Sequence, residues 1–196
     1  MKLELKIVDL LLRNKEKDFT IHEISKTLKQ HYSLVHRFIE KLAKDNILVK
    51  KKIGKAYICS LNLENEKTHI ILTLSEIERK EEFYSKNKEI RLILEDLVNS
   101  LKEVFRAKLD SVVLFGSYAN GTASKDSDID ILILAKNKSS INKKIKELYA
   151  KYGREISVIM LTPRELEQQK QKEFVKEIIK NHYVLYGSEK FILRFK

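Results

Sequence analysis

Two aspartates at a fixed distance behind a Gly-Ser pair constrain this chain more than any other feature of its sequence. Gly116-Ser117 is followed by ten residues and then by Asp128-x-Asp130, and β-favouring apolar runs flank the stretch on both sides. Because side chains alternate along a strand, Asp128 and Asp130 are expected on one face of the second run. Adjacent carboxylates repel each other unless a cation lies between them, and Mg²⁺ suits oxygen ligands. The stretch therefore predicts a Mg²⁺ site held by Asp128 and Asp130.

The Gly-Ser pair at the front of this stretch supplies groups that bind phosphate. Gly116 allows a tight turn and a close approach of phosphate to the backbone. Ser117 adds a hydroxyl and opens a short helix, whose free N–H groups favour an anion. A phosphate cradle beside a metal-binding acid pair predicts a phosphoryl-transfer site, where catalysis rests mainly on positioning and charge neutralisation. The alternative interpretation is an Asp/Ser/Gly-rich loop between two strands.

This spacing resembles the signature of the DNA polymerase beta-like nucleotidyltransferases. The resemblance covers roughly residues 109–190 and is nearest to the minimal nucleotidyltransferases, which include the antitoxin halves of HEPN–nucleotidyltransferase pairs. It implies a domain with a small mixed sheet, in which Ser117 contacts nucleotide phosphates while Asp128 and Asp130 ligate Mg²⁺. It also implies two Mg²⁺ ions and ATP or another nucleoside triphosphate as substrate, whose nucleoside monophosphate, AMP in the case of ATP, is transferred to a hydroxyl.

The third carboxylate of the family has one candidate here. Members of this superfamily commonly carry it on the strand after the Asp-x-Asp motif, where it helps to hold the metal and can accept a proton. The only acid on the predicted strand 155–161 is Glu155, at its first position, whereas the family's usual residue is Asp. Two interpretations stay open: Glu155 is catalytic, or it is a solvated residue at the start of a strand.

The acceptor is not defined by the motif. Only a helix and a short tail follow the predicted catalytic sheet. An open, basic site without a lid suits a macromolecular acceptor. The resemblance to the minimal nucleotidyltransferases favours a protein hydroxyl, for instance a tyrosine on a partner toxin. We therefore expect a Mg²⁺-dependent nucleotidyltransferase that modifies a macromolecule, with the partner protein of a toxin–antitoxin pair as the favoured acceptor.

Composition and charge restrict the setting in which the chain works. The net charge is +11, with 14 Lys and Arg against 7 Asp and Glu in residues 1–62, and 16 against 10 in residues 111–196. Basic residues at both ends suit contact with polyanions at two places. No apolar run is long enough to predict a membrane span, and no secretory signal is expected. Since the single cysteine, Cys59, cannot form an internal disulfide, we expect a cytoplasmic protein.

The first 62 residues resemble a winged helix-turn-helix domain. Three predicted helices precede a hairpin whose first strand is basic. In such domains the third helix enters the major groove of DNA, and basic side chains contact phosphates. Binding of a protein, or dimerisation alone, is the alternative role. The resemblance implies DNA contacts by one side of the third helix and by the hairpin, through Ser33, His36, Arg37, Lys50, Lys51, Lys52 and Lys55.

A helical segment is predicted between the winged helix domain and the nucleotidyltransferase domain. Residues 64–84 predict one helix, broken or restarted around Thr73–Ser75. Residues 87–107 predict a helix whose apolar stripe packs against the following sheet or against a second subunit of a homodimer. A single long helix is predicted from Thr162 to about Lys180. The expected fold class is α+β, with a winged helix at 1–62, a helical linker at 63–107 and a polymerase beta-like nucleotidyltransferase domain at 108–196.

A second class of function stays open at this level. The same sequence fits a DNA-binding transcriptional regulator whose nucleotidyltransferase domain senses nucleotide or is vestigial. The intact acid pair favours the enzyme, whereas the basic hairpin fits both functions.

Overall fold

The computed structural model describes residues 1–54 and 56–195. The chain divides into two compact units, Met1–Glu78 and Arg79–Arg194, which are called the first and second unit below. The division at 1–62, 63–107 and 108–196 stays a prediction. Within the described residues, no helix combines the length and the apolar character needed to cross a membrane.

Three helices and a small antiparallel sheet make up most of the first unit. The sheet has the strand order β1-β3-β2. Strand β1 is only two residues long and pairs with β3. The sequence did not predict it. The elements are α1 (Leu3–Arg13), β1 (Phe19–Thr20), α2 (Ile21–Thr27), α3 (Tyr32–Lys44), β2 (Leu48–Ile53), β3 (Ala56–Leu61) and the first part of α4 (Glu66–Lys86).

The start of α2 is fixed by a capping box. The Glu23 backbone N–H donates to the Thr20 hydroxyl at 3.2 Å, and the Thr20 backbone N–H donates to the Glu23 carboxylate at 2.8 Å. Two backbone donors that helix formation leaves without partners are satisfied in this way. The box therefore sets where α2 begins and how it leaves β1.

A buried arginine links α1 to α4. Arg13 donates to Asp9 at 2.7 Å and to Glu76 at 2.6 Å. The Glu76 side chain is 1% exposed, so its charge has little water around it. A buried carboxylate needs such a partner, because an unpaired buried charge is strongly destabilising. The ion pair therefore fixes α4 against α1.

The predicted break in α4 is wrong, since the helix runs without interruption from Glu66 to Lys86. Ser75, one of the polar residues that suggested the break, is buried and bonds to the backbone of α1. Ser75 donates to the Leu5 carbonyl at 3.3 Å. Ser and Thr favour helix ends when their side chains compete for nearby backbone groups, and this competition is removed when the hydroxyl bonds to another element.

The second unit is built on a four-stranded mixed sheet with the order β6-β5-β4-β7. Strands β5 and β6 are parallel, and the other pairs are antiparallel. Beyond the end of α4, its elements are α5 (Lys88–Phe105), β4 (Leu109–Phe115), α6 (Gly116–Asn120), β5 (Ile129–Ala135), α7 (Asn142–Tyr152), β6 (Ile156–Leu161), α8 (Pro163–Gln169), α9 (Glu173–Lys180), β7 (Tyr183–Tyr186) and α10 (Ser188–Ile192).

The two faces of this sheet are covered differently. Ile129, Ile131 and Ile133 lie on the face that packs against α5 and α7, in one continuous buried core. Side chains alternate along a strand, so Asp130 lies on the opposite face. The ring of Phe115 shares that face and contacts Phe174 of α9 edge-on, with 6.0 Å between the ring centroids. The apolar stripe of α5 is therefore used within the unit, as predicted.

The chain after β6 forms two short helices rather than one long helix. Thr162 and Glu165 make a second capping box, with Pro163 at the first helical position, so the predicted start is confirmed. The helix ends at Gln169, and α9 begins at Glu173. Lys172 donates its backbone N–H to the Gln169 carbonyl at 2.9 Å and closes the turn between the helices. The intervening residues carry no apolar side chain that would hold one continuous helix against the sheet.

Candidate active site

The Gly-Ser turn and the second aspartate meet at one end of the sheet. In the antiparallel pairing of β4 with β5, Phe115 lies opposite Asp130. The chain leaves β4 through Gly116, which begins α6. The Gly116 backbone then lies against the Asp130 carboxyl group, and the Ser117 amide is near enough to lower the pKa of that carboxyl. Two parts of the motif that are separated in sequence are therefore adjacent in space.

Glycine is required at position 116 for two reasons. Its φ of +68° lies in the left-handed region, which side chains disfavour. In addition, a Cβ at this position would overlap the Asp130 carboxyl group and lie 2.8 Å from its Cγ. The backbone at Gly116 thus forms one wall of the pocket that contains the carboxylate.

The two aspartates have different surroundings. Asp128 is exposed, whereas Asp130 is half-buried. Burial raises the pKa of the Asp130 carboxyl, the neighbouring Asp128 charge adds to the rise, and the hydrogen bond from Ser117 opposes it. The pair therefore holds more negative charge than the protein alone stabilises. Two carboxylates of this kind fit a hard divalent cation such as Mg²⁺, which would supply the missing positive charge.

Glu155 lies at the same end of the sheet but outside β6, which begins at Ile156. Its carbonyl accepts the backbone N–H of Ile129 at 2.9 Å, so its backbone continues the parallel ladder beside the aspartates. The side chain is exposed. Among residues 1–54 and 56–195, no three His, Cys, Asp or Glu side chains are grouped so that they could hold a metal. The structure thus places Glu155 near the aspartates without joining it to them.

An arginine that sequence analysis missed contacts the Gly-Ser helix. Arg154 donates to the hydroxyl of the buried Tyr118 at 2.8 Å. This bond joins α6 to the residue just before Glu155, and so links the turn at Gly116 with the start of β6. No local pattern in the sequence signals it, because Arg154 follows the helix-ending Gly153 in an irregular segment.

The residues predicted to contact DNA lie in the first unit and differ in accessibility. Ser33, His36 and Arg37 are exposed on α3. Along β2 the side chains alternate, so the three lysines cannot share a face. Lys51 and Lys52 are exposed, but Lys50 donates to both oxygens of Glu40 at 2.6 Å. Lys55 lies outside the described residues.

Comparison with known proteins gives the family. Residues 88–186 match the family model described as nucleotidyltransferase domain. The chain belongs to this nucleotidyltransferase family. The matched range contains the Gly-Ser turn, both aspartates and Glu155, so the family assignment rests on the part of the chain that carries the site. An α+β fold with a nucleotidyltransferase domain, as predicted, is confirmed.

This nucleotidyltransferase has two relatives in Methanocaldococcus jannaschii that carry the provisional name protein adenylyltransferase. MJ1305 is 34% identical over 107 residues, which cover 50% of this chain and 73% of the relative. MJ0604 is 31% identical over 94 residues, which cover 47% of this chain and 94% of the relative. Among solved structures, a toxin–antitoxin crystallised with AMP-PNP has a TM-score of 0.35 and 22% identity, covering 51% of this chain and 80% of that one.

Proposed function

We propose that this nucleotidyltransferase transfers AMP from ATP to a hydroxyl group of a protein. The observation that carries the proposal is the close approach of the Gly-Ser turn to the second aspartate, where a Cβ at Gly116 would lie 2.8 Å from the Asp130 Cγ. This contact puts a phosphate-binding turn and a cation-binding carboxylate within one site. The names of the two relatives support adenylyl transfer to protein as the reaction.

Each residue of the site has a proposed part. Gly116 and Ser117 receive the triphosphate, because a glycine turn lets phosphate approach the backbone. Asp128 and Asp130 hold Mg²⁺. When bound, the metal would neutralise charge on the phosphates and would lower the pKa of an incoming hydroxyl, and we propose two ions. Asp130 is therefore the residue that connects the nucleotide to the metal.

The reaction exchanges one bond to phosphorus for another. The acceptor oxygen forms a bond with the α-phosphorus, the bond from that phosphorus to the bridging oxygen breaks, and pyrophosphate leaves with the electron pair. The hydroxyl proton passes to a base. We assign this base to Glu155, because its backbone bonds to Ile129 at the end of the sheet that carries the aspartates.

A nucleotide-transfer assay with four variants tests the proposal. The purified chain is incubated with α-labelled ATP, Mg²⁺ and candidate acceptor proteins. These include the product of any toxin gene that neighbours the gene of this chain. We propose that the reaction takes place in the cytoplasm. Asp128→Asn and Asp130→Asn should abolish transfer and weaken Mg²⁺-ATP binding in calorimetry. Glu155→Gln should slow transfer while binding stays unchanged. Equal transfer by wild type and Asp130→Asn refutes the proposal. The matched control is Asp126→Asn, which changes an exposed acid of the same loop.

For the first unit we propose a winged helix that binds DNA and directs the enzyme. The observation in favour is the exposed side of α3, with Ser33, His36 and Arg37 on one surface. Lys51 and Lys52 on the hairpin add positive charge for phosphate contacts. A purely regulatory protein with a vestigial site is not favoured, since the acid pair and the turn are intact and in contact.

DNA binding by the first unit has its own test. Affinity for random duplex DNA should fall steeply with salt, and Lys51→Ala/Lys52→Ala should reduce both the affinity and the salt slope. Lys50→Ala is the matched control, because Lys50 is already paired with Glu40, and it should change the slope less. Salt-independent binding, or the same slope in all variants, contradicts the proposal.

A further inference from the structure

Strand β6 is an edge strand that has no charged residue, no proline and no bulge. Among the described residues, no strand pairs with its outer side, since β6 ends the order β6-β5-β4-β7. Its sequence, ISVIML, contains no charged residue and no proline. Its pairing with β5 runs in register from Ile156 to Leu161 without a bulge. Charged residues, prolines and bulges protect natural edge strands from pairing with other chains, and a strand without them offers a template for another strand.

The hydrogen-bonding groups on this outer side can be assigned. The Ile129 backbone N–H donates to the Glu155 carbonyl, which fixes the phase of the parallel ladder. In a parallel ladder the residues of one strand alternate between bonding inward and pointing outward. Ser157 therefore bonds toward β5, and Ile156, Val158 and Met160 direct their N–H and C=O groups outward. These three residues offer a complete set of donors and acceptors to a polypeptide.

A cleft runs beside the same strand on the α7 side of the sheet. It encloses about 580 Å³ and is lined by Ile141 and Ile145 from the α7 side and by the side chains of Ile156, Val158 and Met160. Lys146 also lines it, and Lys143 lies one turn away on α7. Both lysines are exposed, and neither forms an ion pair within residues 1–54 and 56–195. The cleft therefore suits apolar side chains accompanied by negative charge.

The opposite face of β6 leads to the catalytic acids. Ser157 lies directly across from Asp130 in the β5–β6 register. It is small and exposed, so it leaves the surface between the sheet edge and Asp130 open. Strands lie about 4.8 Å apart, which places an added strand about 9.6 Å from β5. A long side chain on the added strand can span this gap across Ser157, whereas a serine or threonine side chain ends short of it.

We propose that the protein acceptor binds as an extended segment added to the outer edge of β6, with a tyrosine over Ser157 and apolar and acidic side chains in the Lys146 cleft. This inference rests on the proposed function and specifies its acceptor. The backbone of the segment pairs with Ile156, Val158 and Met160. Its alternation then puts the tyrosine hydroxyl on the face of Asp128 and Asp130, and its neighbours on the α7 side.

Substitutions on the edge strand separate acceptor binding from nucleotide binding. Val158→Pro removes an outward N–H but no bond to β5, and proline is tolerated where the N–H faces solvent. The matched control is Val158→Ala, which keeps the N–H. A second pair of variants acts on the opposite face, where Ser157→Phe obstructs the surface and Ser157→Ala leaves it open. Calorimetry with Mg²⁺-ATP and circular dichroism show whether each variant keeps its fold and its nucleotide.

The acceptor probe is a random copolymer of glutamate and tyrosine. The two controls are a copolymer of lysine and tyrosine and a homopolymer of glutamate. With α-labelled ATP, wild type should label the glutamate–tyrosine copolymer well above both controls. Val158→Pro should reduce this labelling up to about tenfold, the upper effect expected for losing one hydrogen bond, and Ser157→Phe should reduce it similarly. Val158→Ala should lose less labelling than Val158→Pro, because it keeps the N–H, and Ser157→Ala should lose less than Ser157→Phe, while Mg²⁺-ATP affinity should be unchanged throughout.

The outcomes distinguish this inference from the proposed function. Absence of Mg²⁺-ATP binding by wild type overturns both. Intact binding with no labelling of the glutamate–tyrosine copolymer, or with equal labelling by Val158→Pro, overturns the edge-strand inference alone. Equal labelling of the lysine–tyrosine copolymer removes the role of Lys146. A wild-type dimer that Val158→Pro converts to a monomer assigns the edge to a second copy of this chain and also overturns the inference.

Discussion

Gly116 and Asp130 are in direct contact: the backbone of Gly116 occupies the space beside the Asp130 carboxyl group, and no side chain fits between them. The relationship explains why the turn after β4 and the first residues of β5 act as one unit. The carboxylate cannot move toward β4, and the Ser117 amide holds it from the same side. A phosphate or metal bound here meets a carboxylate whose position is already set, which favours catalysis by positioning.

Substitution of Gly116 tests this relationship. We expect Gly116→Ala to displace the Asp130 carboxylate and to weaken Mg²⁺-ATP binding at least about tenfold, which corresponds to about 1.4 kcal/mol. The strained φ adds about 1 kcal/mol of lost stability. Gly121→Ala is the matched control, because its φ is +71° and no atom lies within 4 Å of its added Cβ. It should lose comparable stability in thermal melts but bind nucleotide normally; equal affinities in the two variants would show that the contact is unimportant.

The hydrogen bond between Arg154 and Tyr118 should position α6. Tyr118→Phe removes a hydroxyl that accepts from the guanidinium at 2.8 Å. Bonds to charged groups contribute about 1.5–3 kcal/mol, and the half-exposed position of Arg154 puts the expected loss near the lower end. We expect a lower melting temperature and a raised KM for ATP with kcat less affected. In a double-mutant cycle with Arg154→Ala, the two losses should not add; additive losses would separate the two side chains energetically.

How far the sequence predicts this protein depends on how local each interaction is. The Gly-Ser turn, the aspartate pair and the helix start at Thr162 involve residues close in the chain, and local spacing was enough to predict them. The Arg154–Tyr118 bond spans 36 residues and the Arg13–Glu76 pair spans 63, so no periodic pattern indicates either. The unbroken α4 was missed for the same reason, because Ser75 bonds to Leu5, 70 residues away.

The role of Lys50 illustrates a different limit. Three consecutive lysines were predicted to contact DNA together, yet strand alternation puts Lys51 on the opposite face from Lys50 and Lys52, and the ion pair with Glu40 occupies Lys50. The alternation could have been applied to the sequence. The partner could not, because Glu40 comes from the neighbouring helix α3 and becomes visible only when β2 is placed beside it.

The buried ion pair in the first unit should be sensitive to loss of its cation. Arg13→Met keeps a long side chain but leaves the Glu76 carboxylate, which is 1% exposed, without the guanidinium. Removing one partner of a buried pair costs about 3–5 kcal/mol. We expect the denaturation midpoint of the first unit to fall accordingly. The double variant Arg13→Met/Glu76→Gln should recover part of the loss, since it no longer buries an unpaired charge; an equal or greater loss would point to packing instead.

The single cysteine reports on the folding of the first unit. Cys59 is buried in β3, and burial raises the pKa of its thiol to about 11, with the nearby Lys50 ammonium opposing the rise. Because the thiolate is the reactive form, a pKa near 11 leaves only about 0.1% of the thiol ionised at pH 8, against about 10% for a thiol with the ordinary value of 9.0. We expect alkylation of native protein at pH 8 to be at least about a hundredfold slower than that of the urea-unfolded chain, from the thiolate fraction alone.

The alkylation rate of the native protein should rise with pH toward about 11, while the rate of the unfolded chain levels off near pH 9. The destabilised Arg13→Met variant should react faster, because the first unit opens more often. A native thiol that reacts as fast as the unfolded one would show that β3 does not shield Cys59.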